Sequence, residues 1–208
     1  MPPNAAPDHL PVDIYLLGIT LFGLYFLFHN PHRYPVQEDE REWFASASFY
    51  GLESGDTSIS VPINEVGVRS GVTPRSDVGF KFHYRGASLD YNYAIILHRH
   101  FTLSLNPYIS TSWFGDGVVG SALLNILADV VRIRKMTLTV GLKPGFFYGF
   151  TSIDDDIDDS TFRVLGYMAG ARFDLGPRLS IMPTFDVITS GSEMGSDRLF
   201  NVGAAIIF

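Results

Sequence analysis

Phe200-Asn201-Val202-Gly203-Ala204-Ala205-Ile206-Ile207-Phe208 closes the sequence. In an extended backbone Phe200, Val202, Ala204, Ile206 and Phe208 share one face, and Asn201, Gly203, Ala205 and Ile207 share the other. A period of two with one wholly apolar face describes a strand with one side in an apolar medium. The same alternation recurs upstream. Leu179, Ile181, Phe185 and Val187 alternate with Ser180, Thr184 and Asp186, and Leu165, Tyr167, Ala169, Ala171 and Phe173 with Gly166, Gly170 and Arg172. Met136, Leu138, Val140 and Leu142 alternate with Thr137, Thr139, Gly141 and Lys143. Phe101, Leu103, Leu105 and Ile109 do so with Thr102, Ser104, Asn106 and Ser110. A pattern repeated over so many segments defines an all-β chain.

Composition agrees with a strand-rich wall. Of the 208 residues 46% are hydrophobic and only 18% charged, with 17 Phe, 10 Tyr and 20 Gly. A quarter charged is usual for soluble domains. The net charge of −7 offers no basic stripe for phosphates, which argues against nucleic acid as a partner. The chain has no cysteine, so disulfides, thiolate catalysis and cysteine-held metals are excluded. Met1 to Leu10 carries no Lys or Arg, so no leader peptide is expected there. The apolar run Ile14–Phe28 is short for a spanning helix, which needs ~20 residues. It reads as a strand, with a helix as the alternative.

Connections alternate in length. Gly176-Pro177, 133–135 and 98–100 are short, whereas 115–120, 151–160 and 189–197 are longer and polar. Short turns at one end and longer loops at the other, together with the terminal aromatic, resemble the asymmetry and C-terminal assembly signal of bacterial outer-membrane barrels. The resemblance implies an antiparallel up-and-down transmembrane β-barrel of about ten strands, within a range of eight to twelve. It also implies an outer-membrane location, periplasmic turns, external loops, and the barrel-assembly machinery and outer-membrane lipids, lipopolysaccharide included, as partners. The expected division is a periplasmic segment over 1–11 and one barrel domain over 12–208. Strands are expected at 12–28, 41–53, 57–70, 77–97, 101–114, 121–132, 135–150, 161–175, 178–188 and 198–208. The segment 77–97 changes phase at Arg85-Gly86, as a bulge in one strand or as the turn of a hairpin. A hairpin would move 12–28 out of the wall. A soluble β-sandwich is the alternative fold.

If the apolar faces meet lipid, the alternate faces line a lumen. They carry Lys81, Arg85, Lys143 and Arg172 against Asp90, Asp129, Asp174 and Asp186. Charge of both signs in a narrow interior predicts a salt-bridged plug, with Asn92, Asn106, Tyr108 and Asn125 as bridges. His98 and His100 share a strand end without a nearby carboxylate. His29, His32 and Arg33, with Glu38–Glu40, are expected in the first external loop. Asp154, Asp155, Asp156 and Asp158 carry oxygen suited to a divalent cation but lack EF-hand spacing, so no metal site is expected. No cofactor is expected, and no nucleophile motif, phosphate loop or zincin pattern occurs.

Asp13-Ile14-Tyr15 through Ile19-Thr20 resembles the opening strand of the outer-membrane lipid A palmitoyltransferases. Ala122-Leu123-Leu124 through Met136-Thr137-Leu138 to Pro144 is similar to a strand, turn and strand of that family. The resemblance implies an eight-strand barrel with a short N-terminal segment. The family's catalytic His two positions beyond the Ile-Thr pair is Phe22 here, and its Asp-Ser pair is missing, Asp159-Ser160 falling in a later loop. The barrel is supported and the acyl-transfer chemistry is not. Three functional readings follow: a structural or surface-interaction barrel with a plugged lumen, a lipid-modifying enzyme using a loop His and an acyl pocket at Tyr15, Leu17, Ile19, Leu21 and Tyr25, and a narrow diffusion channel.

Overall fold

The computed structural model describes residues 35–208 except 55–56, 85, 115–116, 154–155 and 191–197. Those residues form ten strands: β1 Arg41–Ser54, β2 Thr57–Thr73, β3 Ser76–His83, β4 Gly86–Leu97, β5 Thr102–Phe114, β6 Gly117–Ile133, β7 Met136–Ile153, β8 Asp156–Asp174, β9 Ser180–Ser190 and β10 Arg198–Ile207. Each strand pairs antiparallel with the next, and β1 pairs with β10, so the sheet closes into an up-and-down barrel. Following paired residues once around the wall from Ser70 returns to β2 at Ser58, a stagger of twelve residues. Ten strands with that stagger tilt by about 40°, in the usual barrel range.

Closure is what a lipid-embedded sheet requires, because hydrocarbon offers no partner to an unpaired N–H or C=O. The seam between β1 and β10 is completed by two backbone hydrogen bonds, Trp43 N–H to Phe208 O and Phe208 N–H to Trp43 O, both 2.8 Å. The last aromatic thus closes the wall with its backbone while its ring points outward.

The segment 77–97 is the hairpin β3–β4. The turn lets Phe80 and Phe82 on one strand and Leu89 and Tyr91 on the other all face outward, which a bulge would not need. Ten strands are complete from Arg41 onward, and the expected strand 12–28 and periplasmic segment 1–11 lie outside the described residues. This corrects the placement of Glu38–Glu40. β1 rises from the same end as the tight turns 74–75, 98–101, 134–135 and 175–179, so these residues lie at the turn end and not in an external loop. At the opposite, loop end, the expected loop 151–160 is largely strand, since β7 runs to Ile153 and β8 starts at Asp156. β7 and β8, at 18 and 19 residues, exceed the ~9–11 needed to cross a bilayer.

The outer face is apolar. Val140, Leu142, Ala169, Ile181, Phe185, Val202 and Ala204 are exposed, and Leu138 and Ala171 are half-buried on the same side. Of the C-terminal alternation, Val202, Ala204, Ile206 and Phe208 are exposed and Phe200 is half-buried. Trp43 at the turn end and Trp113 at the loop end are exposed near the two limits of this band, where amphipathic rings meet headgroups. Arg in place of Val140 or Ala169, on the outward face in the turn-end half of β7 and β8, is expected to cost up to ~2–4 kcal/mol in bilayers, the larger figure applying near the midplane. Urea titration of folding into phospholipid vesicles reads this directly.

Candidate functional site

Inward-facing residues pack a polar and charged interior. Arg69 on β2 is fully buried and its guanidinium pairs with two carboxylates, Asp77 on β3 and Asp90 on β4. Amides extend this cluster around the wall. Asn92 donates to Asp77 at 3.3 Å, Asn106 to Asp90 at 2.6 Å and Asn125 to Asn106 at 2.7 Å, so one hydrogen-bonded chain joins β2 to β6. On the far wall the ammonium of Lys143 on β7 pairs with Asp186 on β9, and Asn201 of β10 donates to the second oxygen of Asp186 at 3.3 Å. Ser46 of β1 donates to Glu65 of β2 at 3.2 Å, and Lys81 Nζ lies 5.0 Å from the centre of the Phe44 ring, a cation–π geometry.

The residues expected in the lumen separate by height. Lys81, Asp90, Lys143 and Asp186 are buried at mid-wall, while Asp129 is buried nearer the turn end, paired with Arg132 at 3.0 Å and accepting from Thr139 at 2.7 Å. Arg172 and Asp174 stand at the turn-end rim. There they are only part-buried, bonded to each other at 3.0 Å, with Glu42 3.2 Å from Arg172. They sit at the end of β8, where the wall no longer encloses them. Arg85 lies outside the described residues. Sequence reasoning passed over Arg69, Asp77 and Glu65. The signal was there, since Val66 and Val68 alternate with Glu65, Gly67 and Arg69 just as the other strands do.

Both mouths are narrowed. Toward the loop end, Val119, Leu123, Phe147, Val164 and Ile188 turn inward and are buried, an apolar layer above the charges. At the turn end, residues 35–40 cross beneath them. Val36 is buried and its N–H donates to Asp77 at 2.8 Å, Glu38 bridges Gly71, and Gly71 N–H donates to Glu40 O at 3.0 Å. Any side chain at position 71 would run into the Gln37 carbonyl, so this crossing requires glycine.

His98 and His100 are exposed in the β4–β5 turn, ring centroids 5.9 Å apart. No group of three metal-ligating side chains occurs among the described residues. Asp154 and Asp155, the side chains of Asp156 and Asp158, and His29 and His32 lie outside the described set.

An apolar exterior around a charged interior in a closed sheet defines an integral β-barrel of the bacterial outer-membrane type. No family model and no curated protein matches the sequence. The fold is similar to Neisserial surface protein A, at 10% identity and a TM-score of 0.47 over 80% of this chain and 95% of that one. It is also similar to Ail, the attachment invasion locus protein of Yersinia pestis, at 14% and 0.38 over 83% and 100%. The outer membrane protease OmpT from Escherichia coli gives 7% and 0.43 over 80% and 94%. A surface protein, an attachment protein and a protease stand side by side there, and no activity passes from them to this chain.

Asp186→Ala removes a carboxylate from beside the buried Lys143 ammonium and is expected to cost ~3–5 kcal/mol. Glu42→Ala, at the partly exposed rim, is expected to cost at most ~1 kcal/mol. Equilibrium unfolding in detergent micelles, followed by heat-modifiable gel mobility, compares the two.

Proposed function

We propose that this chain is an outer-membrane barrel whose lumen is sealed by paired charges, and that its role is structural: a rigid wall presenting its loop end to the outside. The observation that carries the reading is Arg69, buried at 0% exposure between Asp77 and Asp90. A charge held so far from water survives only if its partners are fixed around it. A selective pore lines its passage with one sign of charge, accessible to ions. Here Arg69 and Lys143 meet carboxylates and Lys81 stands over the Phe44 ring, under an apolar layer on one side and over the segment 35–40 on the other. The turn end faces the periplasm in this orientation, and the strand extensions of β7 and β8 stand outward as the working surface.

The reading excludes a standing ion path. Single-barrel recordings in planar bilayers are expected to show no stable conductance for the unmodified chain, and brief openings at most for Asp186→Ala, whose plug has lost a partner. Large, long-lived openings of the unmodified protein would contradict it.

A further inference from the structure

The wall is not uniform in hydrocarbon. A groove of about 640 Å3 crosses the outer face from β4 to β7, framed by Leu89, Tyr91, Ile109, Leu124 and Phe146. Its origin is two prolines in one row of the sheet. Pro107 on β5 pairs with Leu124 on β6, and the β6–β7 register sets Pro144 on the other side of Leu124. Proline brings no N–H to a ladder. The β4–β5 pairing is interrupted between Asp90↔Tyr108 and Tyr93↔Leu105, and the β6–β7 pairing between Leu123↔Gly145 and Ile126↔Leu142. The small, outward Ala122 keeps the groove open.

Where this groove lies decides what fills it. It sits within the apolar band, so its occupant is a hydrocarbon chain. Its upper end is Phe146 in the loop-end half of β7, and the residue paired with Phe146 across the sheet is Arg163, exposed on the same outward face. A cation above an apolar slot fits an amphiphile that carries saturated chains beneath a phosphate, and the loop end faces the outer leaflet in the proposed orientation. We infer that this face is a lipid A site, with an acyl chain in the groove between Tyr91 and Phe146 and a phosphate on Arg163. The inference rests on the proposed outer-membrane orientation and is independent of the plug.

The test uses the full chain in phosphatidylcholine nanodiscs doped with lipid A or, in a parallel arm, with phosphatidylglycerol, and native mass spectrometry counts the lipid each chain retains. Three variants are compared with the unmodified protein: Ala122→Trp fills the groove, Arg163→Ala removes the cation, and Ala169→Trp adds the same bulk elsewhere on the outer face. The expected result is one retained lipid A, held more tightly than phosphatidylglycerol. It should be weakened about tenfold by Ala122→Trp and by Arg163→Ala and left unchanged by Ala169→Trp. Equal loss at positions 122 and 169 would mean ordinary annular lipid, and equal retention of both lipids would mean a generic anion contact. Either overturns the site. Should Ala122→Trp fail to fold by gel mobility, Arg163→Ala decides alone. A chain that fractionates with the outer membrane yet shows either overturning result refutes the site and not the location.

Discussion

A backbone amide in hydrocarbon has no solvent to bond to, and this one constraint organises the molecule. It forces every strand to find two neighbours, so the last strand must return to the first, and the Trp43–Phe208 pair of hydrogen bonds is where it does. Closure in turn divides the side chains by parity. Those of one parity meet lipid and are mostly apolar, so most of the polarity of the strands is driven into an interior about ten strands around. In so narrow a space charges cannot stay apart: Arg69 and Lys143 meet carboxylates, and Lys81 is placed over the Phe44 ring.

The interior pairs are a constraint on shape more than a source of stability. Withdrawing a guanidinium and two carboxylates from water costs several kcal/mol per ion, which their attraction offsets only in well-bonded geometry. Arg69 meets that condition by holding Asp77 and Asp90 together, while Asn92 donates to the other oxygen of Asp77 and Asn106 to the Asp90 oxygen that Arg69 also holds. Such a cluster tolerates few alternative strand registers. A one-residue slip of β3 would send Asp77 and Lys81 into lipid. Lys143 on β7 and Asp186 on β9, 43 positions apart in the chain, likewise meet over the single intervening strand β8.

Alternation made much of this readable beforehand. From Phe101 onward the phase of each strand was plain, and with it the inward direction of Lys143 and Asp186 and the outward direction of Val140 and Val202. The ambiguity at Arg85-Gly86 could not be resolved from residues alone, because a turn and a bulge shift the phase alike. Parity then carried that ambiguity to the N-terminus and put Glu38–Glu40 at the wrong end. β2 was harder to read because Pro62, Asn64 and Ser70 interrupt its outward face, and Arg69 went unnoticed there. Which carboxylate meets which cation depends on the stagger of the whole sheet, and no local pattern encodes that. The groove at Pro107 and Pro144 was equally hidden, since only the register shows that the two prolines flank one leucine.

The absence of cysteine permits a direct reading of the sealed interior. Ser88 on β4 is buried at mid-wall and close in size to cysteine, whereas Arg99 is exposed in the β4–β5 turn. Each is replaced singly, Ser88→Cys and Arg99→Cys, and the folded protein in bilayers is treated with a membrane-impermeant maleimide supplied on both sides. A sealed lumen predicts rapid labelling at position 99 and none at position 88 until the barrel is unfolded by heat. Labelling of position 88 in the folded barrel at a rate like that of position 99 would show a water-filled passage and contradict the account.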